Sequence, residues 1–321
     1  MKSPYKSLFL FLMVSSTCMV LSSSNWLMTW MSLEINMLGF IPLMYLKESS
    51  NESETAAKYL VPQSLGSTIF IASATISLYF SNLQILMPIA MCLKLGAAPF
   101  HFWFPSVMAG LSLLPAFFLL TWQKIAPIFA ISSFNPTLSA KILPIAGISA
   151  LWGGIGGLNQ TDIRSLLAYS SIAHTGWMLA SINGPNPTLM IYISAYILIN
   201  FSIFMSLTNS SSKLHKQLLS TKEPFDTFLL GMSILSLAGL PPFTGFLMKL
   251  LVIYHTEASM LIIFMLILGA LTSLLFYLSL TFSPLMNLNK LHVLKLKTIS
   301  KSSTLFLLSQ ILPLSLMLFF L

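Results

Sequence analysis

Four charged residues lie inside stretches of the sequence that are otherwise apolar. They are Glu34, Lys94, Lys124 and Lys249, and Lys94 has no acidic or other basic Lys/Arg neighbour within ten positions on either side. If these stretches cross a lipid bilayer, each charge near its centre costs about 2.5–3.5 kcal/mol on insertion scales. Four charges then cost on the order of 10 kcal/mol, which is comparable to the stability of a typical domain. A structural or functional requirement must therefore retain them.

The chemistry that such residues offer is proton transfer. One carboxylate cannot neutralise three ammonium groups, so the excess lysines must be hydrated or partly deprotonated. Desolvation and like charges both favour the neutral form of a lysine, and such a group can load and release protons. A swing of about two pKa units matches the roughly 2.3 kcal/mol needed to move one charge against 100 mV. The alternative is structural: a lysine near a span end reaches the interface, and a Glu–Lys pair pins two helices together.

Composition identifies the environment as a membrane. Hydrophobic residues make up 56% of the 321 residues, charged residues only 7%, and the mean hydropathy is +0.85. A spanning helix needs about 20 apolar residues, so the sequence predicts an all-α polytopic membrane protein forming a single membrane domain with about eleven transmembrane helices. The predicted spans lie near residues 7–23, 25–46, 59–80, 83–105, 109–131, 142–159, 164–183, 188–208, 226–254, 258–282 and 303–321.

The basic residues of the predicted loops lie almost entirely on one side of the membrane. With the N-terminus on that side, the other side receives only Lys141. The first side receives Lys2, Lys6, Lys47, Lys58, Arg164, Lys213, Lys216, Lys222, Lys290, Lys295, Lys297 and Lys301. Such a bias is the expected topology signal. The net charge of +8 therefore indicates orientation, and we infer no nucleic-acid partner from it.

Two of the predicted spans carry helix-breaking residues beside a lysine. "KLGAAPF" contains Lys94, and "LAGLPPFTGFLMK" ends at Lys249. Glycine and proline weaken a helix, and proline removes a backbone donor, so we predict interruptions at about Gly96–Pro99 and Gly239–Pro242. Two interrupted spans, five apart in the helix order, are typical of inverted-repeat transporters with an ion path at the breaks. The alternative for each is a packing kink.

Two histidines are further candidates for proton relay. Ser170 and His174 lie four residues apart, on one helical face, and His101 follows Lys94 beyond Pro99. Histidine titrates near neutral pH. A histidine hydrogen-bonded to a neighbouring helix is the alternative in both cases.

The remaining motifs do not indicate an enzyme active site. Cys18 and Cys92 both lie in apolar spans and suggest neither a disulfide nor a metal site. Gly153 and Gly157 have the spacing of a close helix–helix contact. The basic, then apolar, N-terminal segment also has the pattern of a secretory signal, but no convincing cleavage site follows it.

Five segments together resemble the antiporter-like membrane subunits of mitochondrial NADH–ubiquinone oxidoreductase, respiratory complex I, in the shortened animal form. They are "SLEINMLGFIPL", "KLGAAPFHFWFP", "TWQKIAP", "NQTDIRSLLAYSSIAHTGWM" and "LSLAGLPPFTGFLMK". The resemblance runs from about residue 25 to 250. It implies two inverted five-helix repeats, residues 1–131 and 132–282, followed by a loop and a last helix in 283–321.

The resemblance also implies roles for the charged residues. Glu34 is expected to pair with Lys94 of the first broken helix, Lys124 to be the central relay, and Lys249 to lie nearest the exit to the intermembrane space. Ser106 departs from the family, because many relatives carry an acidic residue after "FWxP". That departure puts one contact on the loop side in doubt and leaves the proton axis unchanged.

The resemblance places redox chemistry elsewhere. NADH, flavin, iron–sulfur clusters and ubiquinone are expected on other subunits, with no cofactor or metal on this chain. The expected partners are other complex I membrane subunits, among them chain 4L and chain 4, and lipids including cardiolipin. The expected location is the mitochondrial inner membrane with the N-terminus in the matrix. Two alternatives stay open: a subunit of a cation/proton antiporter, and a purely structural membrane subunit.

Overall fold

The computed structural model describes residues 4–45, 50–77, 79–210, 224–256 and 258–288. Within these ranges the regular secondary structure is helical, with no β-strand. The helices are α1 (Pro4–Ser22), α2 (Trp26–Met44), α3 (Ser50–Ile76), α4 (Leu86–Leu95), α5 (Trp103–Gly110), α6 (Leu113–Leu120), α7 (Trp122–Ser132), α8 (Pro136–Ala140), α9 (Leu143–Gly157), α10 (Ile163–Ser181), α11 (Asn186–Ser210), α12 (Pro224–Ala238), α13 (Thr244–His255) and α14 (Met260–Leu288). A short 3₁₀ helix, Ser81–Ile85, precedes α4.

The described helices account for the first ten predicted spans. Six segments are long and apolar enough to cross a membrane. They are Tyr5–Ser22, Trp26–Met44, Leu113–Ser132, Pro136–Gly157, Asn186–Thr208 and Met260–Phe282. Two further passes are broken pairs, α4 with α5 and α12 with α13, and two are the more polar helices α3 and α10. The predicted span 303–321 lies outside the described residues.

Loop contacts define the two ends of the helix bundle. At one end Thr55 near the start of α3 packs on Gly110, and the Arg164 guanidinium donates to the Leu111 carbonyl. At the opposite end Trp26 stacks on Phe134, with ring centroids 4.9 Å apart. These contacts match the alternation of loops that the span prediction requires.

Helix α10 is surrounded by other helices on every side. Buried positions occur all round it, from Ile163 to Ser181, and it packs against α9, α5, α11, α13 and α14. Its hydroxyls are satisfied within the helix; for example, Ser171 donates to the Ala168 carbonyl at 2.7 Å. Such internal bonds suit a region where water is scarce. The polar residues of α10 are thereby held inside the protein, away from lipid.

Small residues bring α9 and α10 close together. A β-carbon on Gly153 would collide with the backbone of Ala173, and one on Gly176 would lie 2.5 Å from the Ala146 carbonyl oxygen. The predicted close contact at Gly153 is therefore confirmed. Gly157 faces a different neighbour, the Phe276 ring of α14.

Composition alone does not mark the start of α3. The segment "KESSNESETAAK" has the polar composition of a solvated loop, but α3 begins within it, at Ser50. The exposed side of its first turns carries a Glu54–Lys58 ion pair of 2.5 Å with the i,i+4 spacing that supports a helix, and Lys58 lowers the pKa of the Glu54 carboxyl. The predicted span 109–131 corresponds to the segment Leu113–Ser132, within which α6 ends at Leu120 and α7 begins at Trp122.

Candidate functional site

The two predicted breaks are present and share one backbone geometry. After α4, Gly96 adopts φ 69°, and after α12, Gly239 adopts φ 83°. At the first break Ala97 N–H donates to Cys92 O at 3.0 Å and Gly96 N–H to Leu93 O at 3.1 Å. This is the Schellman pattern, and it requires a left-handed residue, usually glycine. The prediction of interruptions at Gly96–Pro99 and Gly239–Pro242 is confirmed.

Lys94 lies in the last turn of α4 and is 5% exposed. Its aliphatic stem lies against Gly66 of α3, where a β-carbon would come within 2.7 Å of Lys94 Cγ. Its own carbonyl accepts a hydrogen bond of 2.9 Å from Gln63 Nε2. The Trp103 indole N–H donates to the neighbouring Leu93 carbonyl at 3.2 Å. Donors from α3 and α5 therefore satisfy the carbonyls at the end of α4.

Glu34 lies half-buried on α2 and interacts electrostatically with Lys94. The two side chains do not form an ion pair within 4.0 Å; among the described residues, the pair that meets this distance is Lys58–Glu54. The opposite charges are thus neighbours without direct contact. That a single water joins them stays a prediction.

Lys124 lies in the first turn of α7, near the middle of the 20-residue span Leu113–Ser132. It is 4% exposed, and its ammonium donates to the Ser171 carbonyl of α10 at 2.9 Å. The ammonium also lies 5.2 Å from the centroid of the Tyr196 ring and 5.7 Å from that of Phe104. Aromatic faces at this distance attract a cation. The position does not fit a lysine anchoring a helix at the membrane interface.

Lys249 lies on α13 and reaches back to the end of α12. Its ammonium donates to the Ala238 carbonyl at 2.8 Å and to the Leu237 carbonyl at 3.4 Å. These carbonyls have lost their helical partners at the break, and a helix C-terminus carries partial negative charge. Lys249, 8% exposed, therefore caps the half-helix that precedes it.

His174 lies between the central lysine and the lysine of the second break. Its Nδ1 is 2.7 Å from the Tyr192 hydroxyl, and its ring lies 5.1 Å from the Tyr196 ring that Lys124 faces. The ring also bonds the Leu237 carbonyl, which accepts from Lys249. Three predicted site residues are thus brought together.

His101 and Ser106 lie apart from this group. The His101 ring stacks on Phe102 at 4.4 Å and lies 6.1 Å from the Trp152 ring of α9, and its Nδ1 has no hydrogen-bond partner among the described residues. Ser106 donates to the Trp103 carbonyl of its own helix at 2.8 Å. Within the described part of the chain, neither residue is hydrogen-bonded to one of the three lysines.

Several residues around the lysines were not identified from the sequence. Besides Gln63, they include Tyr192, Tyr196 and Gln123, whose amide donates to Asn36 of α2 at 3.1 Å. The available signal was a polar or phenolic side chain in an apolar span, since such groups need partners when buried. Within the described residues, no group of three metal-binding side chains is assembled.

Each of the buried basic side chains can bind and release a proton. Four titratable side chains, Lys94, Lys124, His174 and Lys249, are buried in an apolar bundle, and their partners are mainly neutral carbonyls, hydroxyls and rings. Ionisable groups inside a membrane protein that face the bundle interior mark ion paths. The Glu34 carboxylate supplies an opposite charge near Lys94.

The fold and the site define a polytopic membrane protein with buried cations at two broken helices. The family described as "NADH:quinone oxidoreductase/Mrp antiporter, TM" matches residues 23–276. The chain is 40% identical over 300 residues to NADH-ubiquinone oxidoreductase chain 2 of Suricata suricatta, covering 88% of this chain and 86% of that protein. It is also 40% identical to NADH-ubiquinone oxidoreductase chain 2 of Lumbricus terrestris over 295 residues, covering 88% of both chains.

A solved structure shares the fold. A chain of respiratory complex I from Thermus thermophilus with bound Aureothin superposes with a TM-score of 0.80 at 24% identity, covering 88% of this chain and 71% of that one. The chain belongs to the NADH:quinone oxidoreductase/Mrp antiporter membrane family, and within it to the group of NADH-ubiquinone oxidoreductase chain 2 proteins.

Proposed function

We propose that this chain is an antiporter-like, proton-translocating membrane subunit of respiratory complex I. In this role it couples NADH-to-ubiquinone electron transfer, carried out on other subunits, to proton movement through the bundle. The observation that carries the proposal is the set of buried lysines at the breaks and between them: Lys94 ends α4, Lys249 caps α12, and Lys124, near the middle of its span, bonds to α10. The sequence similarity to NADH-ubiquinone oxidoreductase chain 2 proteins supports the assignment of this chain to complex I.

The proposed path begins at the first break and leaves at the second. A change in hydration around Glu34 and Lys94 alters their pairing and releases a proton toward Lys124. Lys124 passes it through water or His174 to Lys249, which accepts it after its own ammonium, held at the end of α12, has released a proton toward the exit. Each transfer from Lys94 onward passes a proton from a protonated base to a neutral one, so the total charge of the donor and the acceptor does not change. His101 stays a candidate for a side branch.

The assembly and orientation are part of the proposal. NADH, flavin, iron–sulfur clusters and ubiquinone bind other subunits of the complex. Chain 4L and chain 4 are the proposed neighbours, with cardiolipin among the surrounding lipids. The membrane is the mitochondrial inner membrane, the N-terminus lies in the matrix, and the two inverted repeats are residues 1–131 and 132–282.

The two alternative functions predict different experimental results. A cation/proton antiporter subunit would purify without an NADH-oxidising arm, whereas a complex I subunit would bring one. A purely structural subunit would tolerate neutral replacements of the buried lysines. The central position of Lys124 and its carbonyl and aromatic partners make it the residue that best separates these functions.

The test is Lys124→Met in the assembled complex. Methionine keeps the length and apolar stem of the side chain, so packing should change little, but it removes the titratable group. We expect normal assembly, with proton pumping and coupled NADH oxidation both reduced. The measurements are proton yield per NADH, turnover, and the amount of complex recovered. Full turnover at the normal proton yield would establish the structural function instead.

A further inference from the structure

One face of α3 contacts both helices that carry the first two lysines. Tyr59, Gln63 and Gly66 lie at i, i+4 and i+7, and all three are buried. Residues with this spacing share one side of a helix. We call this set the α3 stripe.

The stripe contacts Lys94 at two points. Gln63 holds the Lys94 carbonyl at 2.9 Å, and Gly66 leaves the space in which the lysine stem lies. A β-carbon on Gly66 would lie 2.7 Å from Lys94 Cγ and 3.3 Å from the Ala90 carbonyl oxygen. Any larger side chain there must displace the lysine or the helix. The stripe therefore fixes both the end of α4 and the direction of its lysine.

The same stripe reaches the helix of Lys124. The Tyr59 hydroxyl donates to Gln123 Oε1 at 3.4 Å, and Gln123, the residue before Lys124, donates to Asn36 at 3.1 Å. The Tyr59 ring also packs edge-on against Trp103, with centroids 5.9 Å apart. A single helix thus touches α4, α5 and the first turn of α7.

The equivalent carbonyls at the two breaks accept from different donors. Lys94 and Leu237 hold the same place relative to the glycine that ends each half-helix, two residues before Gly96 and Gly239. At the second break the Leu237 carbonyl accepts from the Lys249 ammonium at 3.4 Å. At the first break the equivalent carbonyl accepts from the neutral amide of Gln63. At the first break the Gln63 amide is therefore the side-chain donor to this carbonyl, and the Lys94 ammonium makes no hydrogen bond to it.

We propose that the α3 stripe of Tyr59, Gln63 and Gly66 sets the position of Lys94 relative to Lys124. These are positioning residues, and they act on proton transfer only through the two lysines. The proposal rests on the proposed function, because it explains how two of the buried lysines keep their spacing. Proton transfer is sensitive to such spacing, since a misplacement of about 1 Å can reduce a rate by about 100-fold.

The test compares two glycine-to-alanine variants in the assembled complex. Gly66→Ala places a methyl group against the Lys94 stem, whereas Gly231→Ala, in α12, places one where no atom lies within 4 Å. We expect Gly66→Ala to lower kcat and the proton yield per NADH by at least about fivefold, with an unchanged KM for ubiquinone. Gly231→Ala should match the parent protein.

A second variant decides the case in which Gly66→Ala does not assemble. Gln63→Leu keeps a similar volume and removes the donor to the Lys94 carbonyl, so it should reduce kcat and proton yield in the same way. Lys124→Met is measured beside them. If Lys124→Met impairs pumping while the assembled α3 variants behave like Gly231→Ala, the positioning proposal fails alone. If Lys124→Met also pumps normally, the proposed function fails.

Discussion

At the scale of residues, the partners of the buried lysines differ in kind. The Ser171 carbonyl that receives Lys124 belongs to an uninterrupted helix, whereas the Ala238 carbonyl that receives Lys249 is at a helix end. A terminal carbonyl has no intrahelical partner and adds the field of the helix dipole. Lys124 is surrounded instead by the faces of two aromatic rings. The two ammonium groups therefore have different surroundings: a helix end at Lys249, and a carbonyl within a helix together with two aromatic rings at Lys124.

The hydrogen bond between His174 and Tyr192 gives a prediction at this scale. Tyr192→Phe removes only the hydroxyl that lies 2.7 Å from His174 Nδ1. We expect the variant to cost about 1 kcal/mol of stability, the usual value of one hydrogen bond. Proton yield and turnover should fall several-fold, because the His174 ring loses the group that fixes its tautomer and orientation.

The matched control is Tyr254→Phe. Tyr254 is 80% exposed, so the same change there removes no buried hydrogen bond. Both variants are measured by thermal unfolding of the complex and by proton uptake coupled to NADH oxidation. If Tyr192→Phe pumps as well as Tyr254→Phe does, His174 is a structural residue and the path from Lys124 to Lys249 runs through water alone.

The sequence identified the charged residues of the site but few of their neighbours. Lys94, Lys124 and Lys249 are apparent because isolated charges are rare in apolar spans. The Ser171 and Ala238 carbonyls cannot be anticipated, because every residue has a carbonyl and only tertiary packing selects one. The Glu34–Lys94 pair was expected to be close, and the structure leaves the two groups interacting without an ion pair.

At the scale of elements, the second break supplies a prediction. Gly239 adopts φ 83°, and a β-carbon there would lie 3.1 Å from Lys249 Nζ. Gly239→Ala should therefore cost about 1–2 kcal/mol from the left-handed backbone and also displace the Lys249 ammonium. We expect a lower unfolding temperature of the complex together with reduced proton yield. Gly231→Ala, a glycine of the same half-helix with an open β-carbon position, should show neither effect.

The asparagine variant separates the two causes. Asparagine tolerates the left-handed region better than alanine does, so Gly239→Asn should recover part of the stability while its side chain still crowds Lys249. Recovery of stability with low proton yield is the expected result. Full recovery of both in Gly239→Asn would show that the glycine serves the backbone and has no bearing on Lys249.

Helix breaks differed in how well the sequence predicted them. Those at Gly96 and Gly239 follow from glycine and proline, whose backbone preferences are local. The break at Thr121 has no such marker; there the Thr121 hydroxyl bonds to the Phe117 carbonyl at 2.7 Å, and φ and ψ are −110° and −69°. The early start of α3 was missed because the polar composition of residues 50–58 resembles a loop. In both cases the contacts of the folded bundle outweigh local composition.

At the scale of the whole molecule, the contacts between loops and the distribution of charge give the same alternation. Arg164 donates to the Leu111 carbonyl at one end of the bundle, and Thr55, three residues before Lys58, packs on Gly110 at that end. Lys141 follows α8, on the side where Phe134 meets Trp26. Most basic residues of the predicted loops lie on the side of Arg164 and Lys58. Lys141 lies on the opposite side, so its accessibility reports the orientation of the chain in the membrane.

The final prediction uses that marker. Lys58 and Lys141 are both exposed and lie in loops or helix ends on opposite sides. With the positively charged side in the matrix, a membrane-impermeant amine reagent applied to mitoplasts should modify Lys141 and spare Lys58. Inverted inner-membrane vesicles should give the reverse, which controls for shielding of either lysine by a neighbouring subunit. The measurement is peptide mass spectrometry of the modified chain. Modification of Lys58 in intact mitoplasts would show that the orientation is opposite to the predicted one. The direction in which Lys249 delivers protons would then be opposite as well.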